Sequence, residues 1–191
     1  MATRLATHRR VSALRGTARS GPSRSGARRP SRGRVIWITG LSGSGKTTVG
    51  RAVANHFRTA GRTVVLLDGD ELRRSIARDL GYELADRRQC AERYARLATA
   101  LARQRLIVVV ATISMFDAVR RWNRRHAPRY LEVYLRGTWR PRRRAATVSC
   151  LVVGVDLPFE APRRPHLVFD VRATDSAAIA ARIVARVRHG R

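Results

Sequence analysis

An α/β fold, a parallel β-sheet flanked by helices, is predicted by three features of the sequence. From Arg34 onward, short β-branched runs alternate with longer mixed segments, the pattern of parallel strands joined by crossover helices. The run "RVIWIT" passes directly into the glycine-rich "GLSGSGKTT" and then into a segment of helical period. A second run, "TVVLL", ends in "DGDELR", which sets carboxylates at the carboxyl edge of the sheet, where ligands of open α/β folds gather.

The elements follow in order. Strands are predicted at Val35 to Thr39, Thr63 to Leu67, Leu106 to Ala111, Tyr130 to Leu135 and His166 to Phe169. Helices fill the gaps at about Lys46 to Thr59, Glu71 to Asp79, Ala85 to Arg103 and Phe116 to Arg125. A last helix runs from about Ser176 to Arg188, with Thr174 or Asp175 as N-cap and Gly190 just past its end. In the helix from Ala85, residues Ala91, Tyr94, Ala95, Ala98, Leu101 and Ala102 recur at spacings of three and four, a core-packing stripe. Residues 136–150, "RGTWRPRRRAATVSC", match neither period and read as an exposed basic loop.

Length and charge bound the function. The 191 residues suit one domain with a real core. A formal charge of +27 suggests a polyanionic partner, yet residues 1–33 are a Ser, Gly, Pro and Arg mixture with too few large apolar side chains to pack. They read as a disordered basic tail, touching nucleic acid only non-specifically, and residues 34–191 as the folded domain. Such a leader also has the composition of an organelle transit peptide. The tail reading is preferred because the arginine bias pervades the chain, and a cytoplasmic protein is the expectation. No apolar run is long enough to cross a bilayer, and Cys90 and Cys150 lack metal-site spacing.

Of the 40 Lys and Arg residues only Lys46 is lysine. It lies in "GLSGSGKT", which satisfies GxxxxGK[ST] between a strand and a helix. In that context the backbone amides of Gly40, Leu41, Ser42, Gly43, Ser44 and Gly45 cradle phosphate oxygens, with Lys46, Thr47 and Thr48 opening the helix behind them. Lys46 reaches the β and γ phosphates of ATP, and the Thr47 hydroxyl ligates Mg²⁺. A slender ammonium fits among phosphates where a planar guanidinium does not, which explains the one retained lysine. The fold is therefore that of a P-loop nucleoside triphosphatase. Asp68 and Asp70 admit two readings. A carboxylate there orients or deprotonates an acceptor hydroxyl or holds the metal, whereas Asp70 before "ELRRSIARDL" is equally an ordinary helix N-cap.

Together, "GLSGSGKTT", "LDGDELR", "DLGYELADRRQCAER", "ATISMF", "LEVYL" and "GVDLPFEAP" resemble the adenylylsulfate kinase family over about Arg34 to Asp170. Members transfer the γ-phosphoryl of ATP to the ribose 3′-hydroxyl of adenylylsulfate, a small anionic nucleotide, and many are dimers, so a homodimer is one expectation. The resemblance implies that Asp70 is the acid/base carboxylate and that Arg73 and Arg87 hold the acceptor. Asp68, Ile113 and Phe116 fall with the acceptor-binding set. Ser114 matches a serine assigned as a phosphoserine intermediate, although direct in-line transfer needs only a positioning hydroxyl there.

The departures lie on the acceptor side. Cys90 stands where the family has an acceptor-binding asparagine, and Met115 where it commonly has proline. The lid, residues 136–153, is short and lacks the family's lysines, with Val152 and Val153 replacing a Phe and a Thr before Gly154. Two interpretations follow: another nucleotide-like acceptor, since "ATISMF" followed by "WNR" also resembles kinases acting on cytidine diphosphoramidate, or a decayed paralogue that binds ATP without turnover.

Overall fold

The computed structural model describes residues 32–137 and 152–189. The expected tail, apart from residues 32 and 33, most of the expected lid and basic loop, Cys150 and the stop signal Gly190 lie outside the described residues. The elements run β1 (Arg34–Thr39), α1 (Lys46–Thr59), β2 (Val64–Asp68), α2 (Gly69–Ile76), α3 (Leu84–Arg103), β3 (Ile107–Ala111), α4 (Asp117–His126), β4 (Leu131–Arg136), β5 (Leu167–Asp170) and α5 (Ser176–His189). The strands form one sheet in the order β2-β3-β1-β4-β5, every pair parallel.

Strand β1 lies between β3 and β4, and all six of its residues are buried. A strand covered on both faces favours apolar side chains on each, which is why its central "VIWI" shows no alternation. The pleat nevertheless divides its side chains. Val35 and Trp37 join the core formed with α3 and α4, while Ile36 and Ile38 join the core shared with α1 and α5. The predicted stripe on α3 is buried at Ala91, Tyr94, Ala95, Ala98 and Ala102, and Leu101 is half-buried beside them.

Most expected boundaries shift by one residue, and the two ends of α2 shift further for identifiable reasons. Helix α2 starts at Gly69 rather than Glu71, because the Asp68 side chain accepts from the Asp70 amide at 3.0 Å and caps the helix two residues early. It also stops at Ile76 instead of Asp79, where Arg93 on α3 donates to the Ile76 carbonyl at 2.9 Å and pairs with Asp79 at 2.6 Å. Helix α5 is capped by Asp175, which accepts from the amides of Ala177 and Ala178. Among the described residues no helix is long and apolar enough to cross a membrane.

Candidate active site

Strands β1, β2 and β3 lie side by side and parallel. The predicted nucleotide-binding residues follow β1, Asp68 ends β2 with Asp70 just after it, Ile113, Ser114 and Phe116 follow β3, Arg73 lies on α2, and Arg87 and Cys90 lie on α3. After β1 the chain makes the phosphate-binding turn and enters α1 at Lys46, with Gly45 as N-cap in the left-handed region (φ 81°). A Cβ is strained in that conformation, so glycine is the residue for the site. Ser42, Gly43 and Thr48 are exposed, Leu41, Gly45, Lys46 and Thr47 are half-buried, and Gly40 and Ser44 are buried. Lys46 Nζ donates to the Leu41 carbonyl at 2.7 Å, which bends the lysine back across the turn it will use. Burial pushes its ammonium down to about 8, while Asp70 and then Asp68 work to keep it charged.

Phosphates bound in the turn favour the charged lysine, so its pKa rises on ATP binding and a proton is taken up above about 8. Affinity for Mg·ATP is therefore expected to be flat below that pH. It then falls by at most about tenfold per unit as the pH rises through 8 toward the bound-state value. Titration with a fluorescent ATP analogue between pH 7 and 9.5 checks this, and a flat profile across the range would remove Lys46 as the titrating group.

Asp68 resolves the ambiguity between its two neighbouring carboxylates. It supplies the helix cap through Oδ1, and its Oδ2 accepts from the Thr47 hydroxyl at 2.6 Å. Asp70, read from sequence as a possible cap, is not one: it sits in the first turn of α2, exposed, with a capping residue already before it. Gly69 between them has no space for a side chain, since a Cβ would meet Thr112 Oγ1 at 2.9 Å. That closeness brings the first turn of α2 against the end of β3. The Thr47 hydroxyl and the Asp68 carboxylate are hard oxygen donors at the mouth of the turn. Such a pair fits Mg²⁺, which takes one or two carboxylates, several waters and substrate phosphates. Among the described residues no group of three His, Cys, Asp or Glu forms a metal cage, as that mode requires none.

The residues that the resemblance places on the acceptor side are linked to one another through Tyr82 and Tyr94. Arg73 donates to Cys90 Sγ at 3.4 Å and to the carbonyls of Leu80 and Gly81, and its guanidinium lies 4.2 Å from the Tyr82 ring centre. Arg87 donates to the Tyr82 carbonyl at 2.7 Å and faces the same ring. Cys90 is buried and donates to the Tyr94 hydroxyl at 2.7 Å, which in turn donates to the Gly69 carbonyl at 3.2 Å. Burial, followed by the Cys90 contact, pushes the Tyr94 phenol far above its usual range. The chain Arg73, Cys90, Tyr94 and Gly69 thus links Arg73 to the backbone beside Asp70.

Ser114 is buried in the left-handed region (φ 45°), and its Oγ has no hydrogen-bond partner among the described residues. The Ile113 carbonyl beside it accepts from the Thr39 hydroxyl at 2.5 Å. Phe116 is buried, and the Arg88 guanidinium lies 4.9 Å from its ring centre.

Arg120 is the residue that sequence reasoning missed. Only 1 % of its side chain is exposed, and it donates at 2.6 Å to both the Ser114 carbonyl and the Glu160 carbonyl. It also lies 3.8 Å from Glu132, a fully buried carboxylate that accepts from Arg124 at 2.9 Å and from Tyr130 at 3.2 Å. Burial raises the Glu132 pKa, and Arg124 and then Arg120 oppose that shift. In a chain with so many arginines nothing in the one-dimensional pattern singled Arg120 out. Glu160 accepts from the Asp117 amide at 2.6 Å and donates through its own amide to the Met115 carbonyl at 3.1 Å. The segment from Val152 therefore runs from the phosphate turn, where Gly154 packs on Leu41, to the start of α4.

The adenylylsulphate kinase family model matches residues 32–170. Among curated proteins, the bifunctional enzyme NodQ of Azospirillum brasilense is 37 % identical over 164 residues, which cover 78 % of this chain but only 26 % of NodQ. The adenylyl-sulfate kinase of Synechococcus sp. (strain JA-2-3B'a(2-13)) is 35 % identical over 149 residues, 72 % of this chain and 84 % of the relative. Among solved structures, the Mycobacterium tuberculosis APS kinase CysC in complex with AMPPNP and APS superposes with a TM-score of 0.75 at 29 % identity, covering 83 % of this chain and 99 % of that one. On the phosphate turn, the carboxylates beside it and a match that spans the sheet and its site, this chain belongs to the adenylylsulphate kinase family.

Proposed function

We propose that the protein is an ATP-dependent kinase that transfers the γ-phosphoryl of ATP to the ribose 3′-hydroxyl of adenylylsulfate. One observation carries the reading beyond family membership: Lys46, the Thr47–Asp68 pair and Asp70 meet at one edge of the sheet, with the acceptor arginines Arg73 and Arg87 beyond them. Residues 34–191 form the kinase unit in this reading.

Each side chain has a task that its surroundings allow. Lys46 exchanges the Leu41 carbonyl for the β and γ oxygens, trading a neutral acceptor for charged ones. Thr47 and Asp68 hold Mg²⁺, which supplies charge neutralisation on the phosphates. Asp70 accepts the proton of the acceptor hydroxyl as that oxygen attacks phosphorus. Arg73 and Arg87 release backbone carbonyls to grip the anionic acceptor by forked, charge-assisted hydrogen bonds. Ser114, buried and without a partner for its hydroxyl, serves as a positioning group near the phosphates.

An ADP-release assay with Mg·ATP, comparing no acceptor, adenylylsulfate and a cytidine diphosphate analogue, tests the assignment. Release that depends on adenylylsulfate is the expected result. Release with the cytidine compound alone would reassign the acceptor, and ATP binding with no release in any tube would mark a paralogue without turnover. Light scattering on the same preparation checks the homodimer expected from the family resemblance.

A further inference from the structure

The opposite edge of the sheet holds a second cationic site. Arg34 opens β1 and Leu131 opens β4, so this edge lies one strand length from the phosphate turn, roughly 17 Å for six residues. A hollow of about 200 Å³ there is lined by Arg34, Arg129, Tyr130, Leu131, His166 and Arg186. No carboxylate lines it, and among the described residues none of the three arginines is in an ion pair.

Arg34 forms the floor and is only 8 % exposed. Burying a guanidinium without a counter-charge is costly, and here two further guanidinia, of Arg129 and Arg186, stand over it. Burial and the repulsion of Arg129, Arg62 and Arg186 all pull the Arg34 pKa down, with no carboxylate acting in the other direction. The nearest buried acid, Glu132, is taken up by Arg124, Tyr130 and Arg120. Arg129 is held at a positive φ of 45°, an unusual conformation for a side chain of its size.

His166 adds a donor without adding charge. The Glu132 amide donates to its Nδ1 at 2.9 Å, so Nδ1 is the acceptor and the ring proton of the neutral imidazole sits on Nε2. Burial, with Arg124 and Arg186 nearby, lowers its pKa and keeps the ring neutral. The polar groups offered by the arginines and His166 are therefore donors.

We propose that this hollow binds a small, multiply charged oxyanion of the phosphate or sulfate class, at a site separate from the one that holds ATP. The volume is below the roughly 300–1,000 Å³ of pockets that enclose a whole drug-sized ligand, so the site takes the oxyanion group itself and not a nucleoside. Bound there, the anion ties the first residue of the strand that carries the phosphate turn to the β4–β5 edge and to α5.

Thermal unfolding of the full chain, with phosphate, sulfate, pyrophosphate or ADP against chloride at matched ionic strength and without Mg²⁺, tests the site. The phosphate turn binds the same anions, so the measurement is made in the Lys46→Ala background. A rise in Tm of about 5–10 °C at a hundredfold excess over Kd is expected for the free oxyanions. It should disappear when Arg129→Ala and Arg186→Ala are added; both residues are exposed, and the unliganded Tm of that variant reports whether it is folded. A rise that Lys46→Ala alone abolishes would place the anion only in the phosphate turn. An equal rise in every variant would mean diffuse attraction to an arginine-rich chain, and a rise with ADP but not with phosphate or pyrophosphate would mean a nucleotide pocket. Each of these results overturns the proposal.

Discussion

Asp70→Asn is expected to lower kcat by about 10²–10⁴-fold while leaving Mg·ATP affinity nearly unchanged, the range that a positioned general base contributes. The isosteric amide cannot take the proton of an attacking hydroxyl, yet it fills the same space. Because Asp68 already caps α2, the exchange removes no cap and the helix should keep its start. Asp70 is also the larger of the two acidic influences that keep Lys46 charged, so its loss lowers the Lys46 pKa further. The comparison therefore belongs well below pH 8, with the Mg·ATP affinity of both proteins measured at the same pH. Single-turnover kinetics with saturating adenylylsulfate separates the chemical step from release. Unchanged turnover would remove Asp70 as the base, and a parallel loss of ATP affinity would assign it to nucleotide binding instead.

Arg120→Ala is expected to destabilise the fold by about 3–5 kcal/mol, the cost of removing one partner from a buried charged network. It leaves the carbonyls of Ser114 and Glu160 unpaired and takes one of two cations from Glu132. At 2–4 °C per kcal/mol for a protein of this size, Tm should fall by roughly 10 °C. Arg120→Lys should recover little, because one ammonium cannot reproduce a planar fork that donates to two carbonyls and to Asp117 while lying beside Glu132. If Arg120 acts by holding the Ser114 turn in place, the residual folded Arg120→Lys protein also shows a reduced kcat with little change in KM for ATP. Lost stability at full kcat would make the residue purely structural, and a Tm change below about 2 °C would contradict the buried network itself.

The nucleotide half of the site was legible because it is local. A phosphate cradle needs a glycine-rich turn, one lysine and one hydroxyl within a few residues, and "GLSGSGKTT" contains them all in order. Asp68 and Asp70 were legible as a pair, but not in their separate duties. Which carboxylate caps α2 depends on where the helix starts, and the close approach of Gly69 to Thr112 across the sheet fixes that register. For the acceptor side, resemblance pointed to Arg73, Arg87 and Cys90. It gave no sign that the three are linked through Tyr82 and Tyr94, since those contacts join α2, its following loop and α3.

By itself the sequence determined the α/β class, the number and order of strands and helices, and the phosphate turn. Each of these is written in short-range periodicity and turn chemistry, which act within about one element. Tertiary structure alone singled out Arg120 and Arg34 among the many arginines. Arg120 and Arg34 are ordinary letters in an arginine-rich chain until folding buries them, one among two carbonyls and two carboxylates, the other among like charges with none. Burial strips away water, and a guanidinium without water must be satisfied by whatever the fold brings to it.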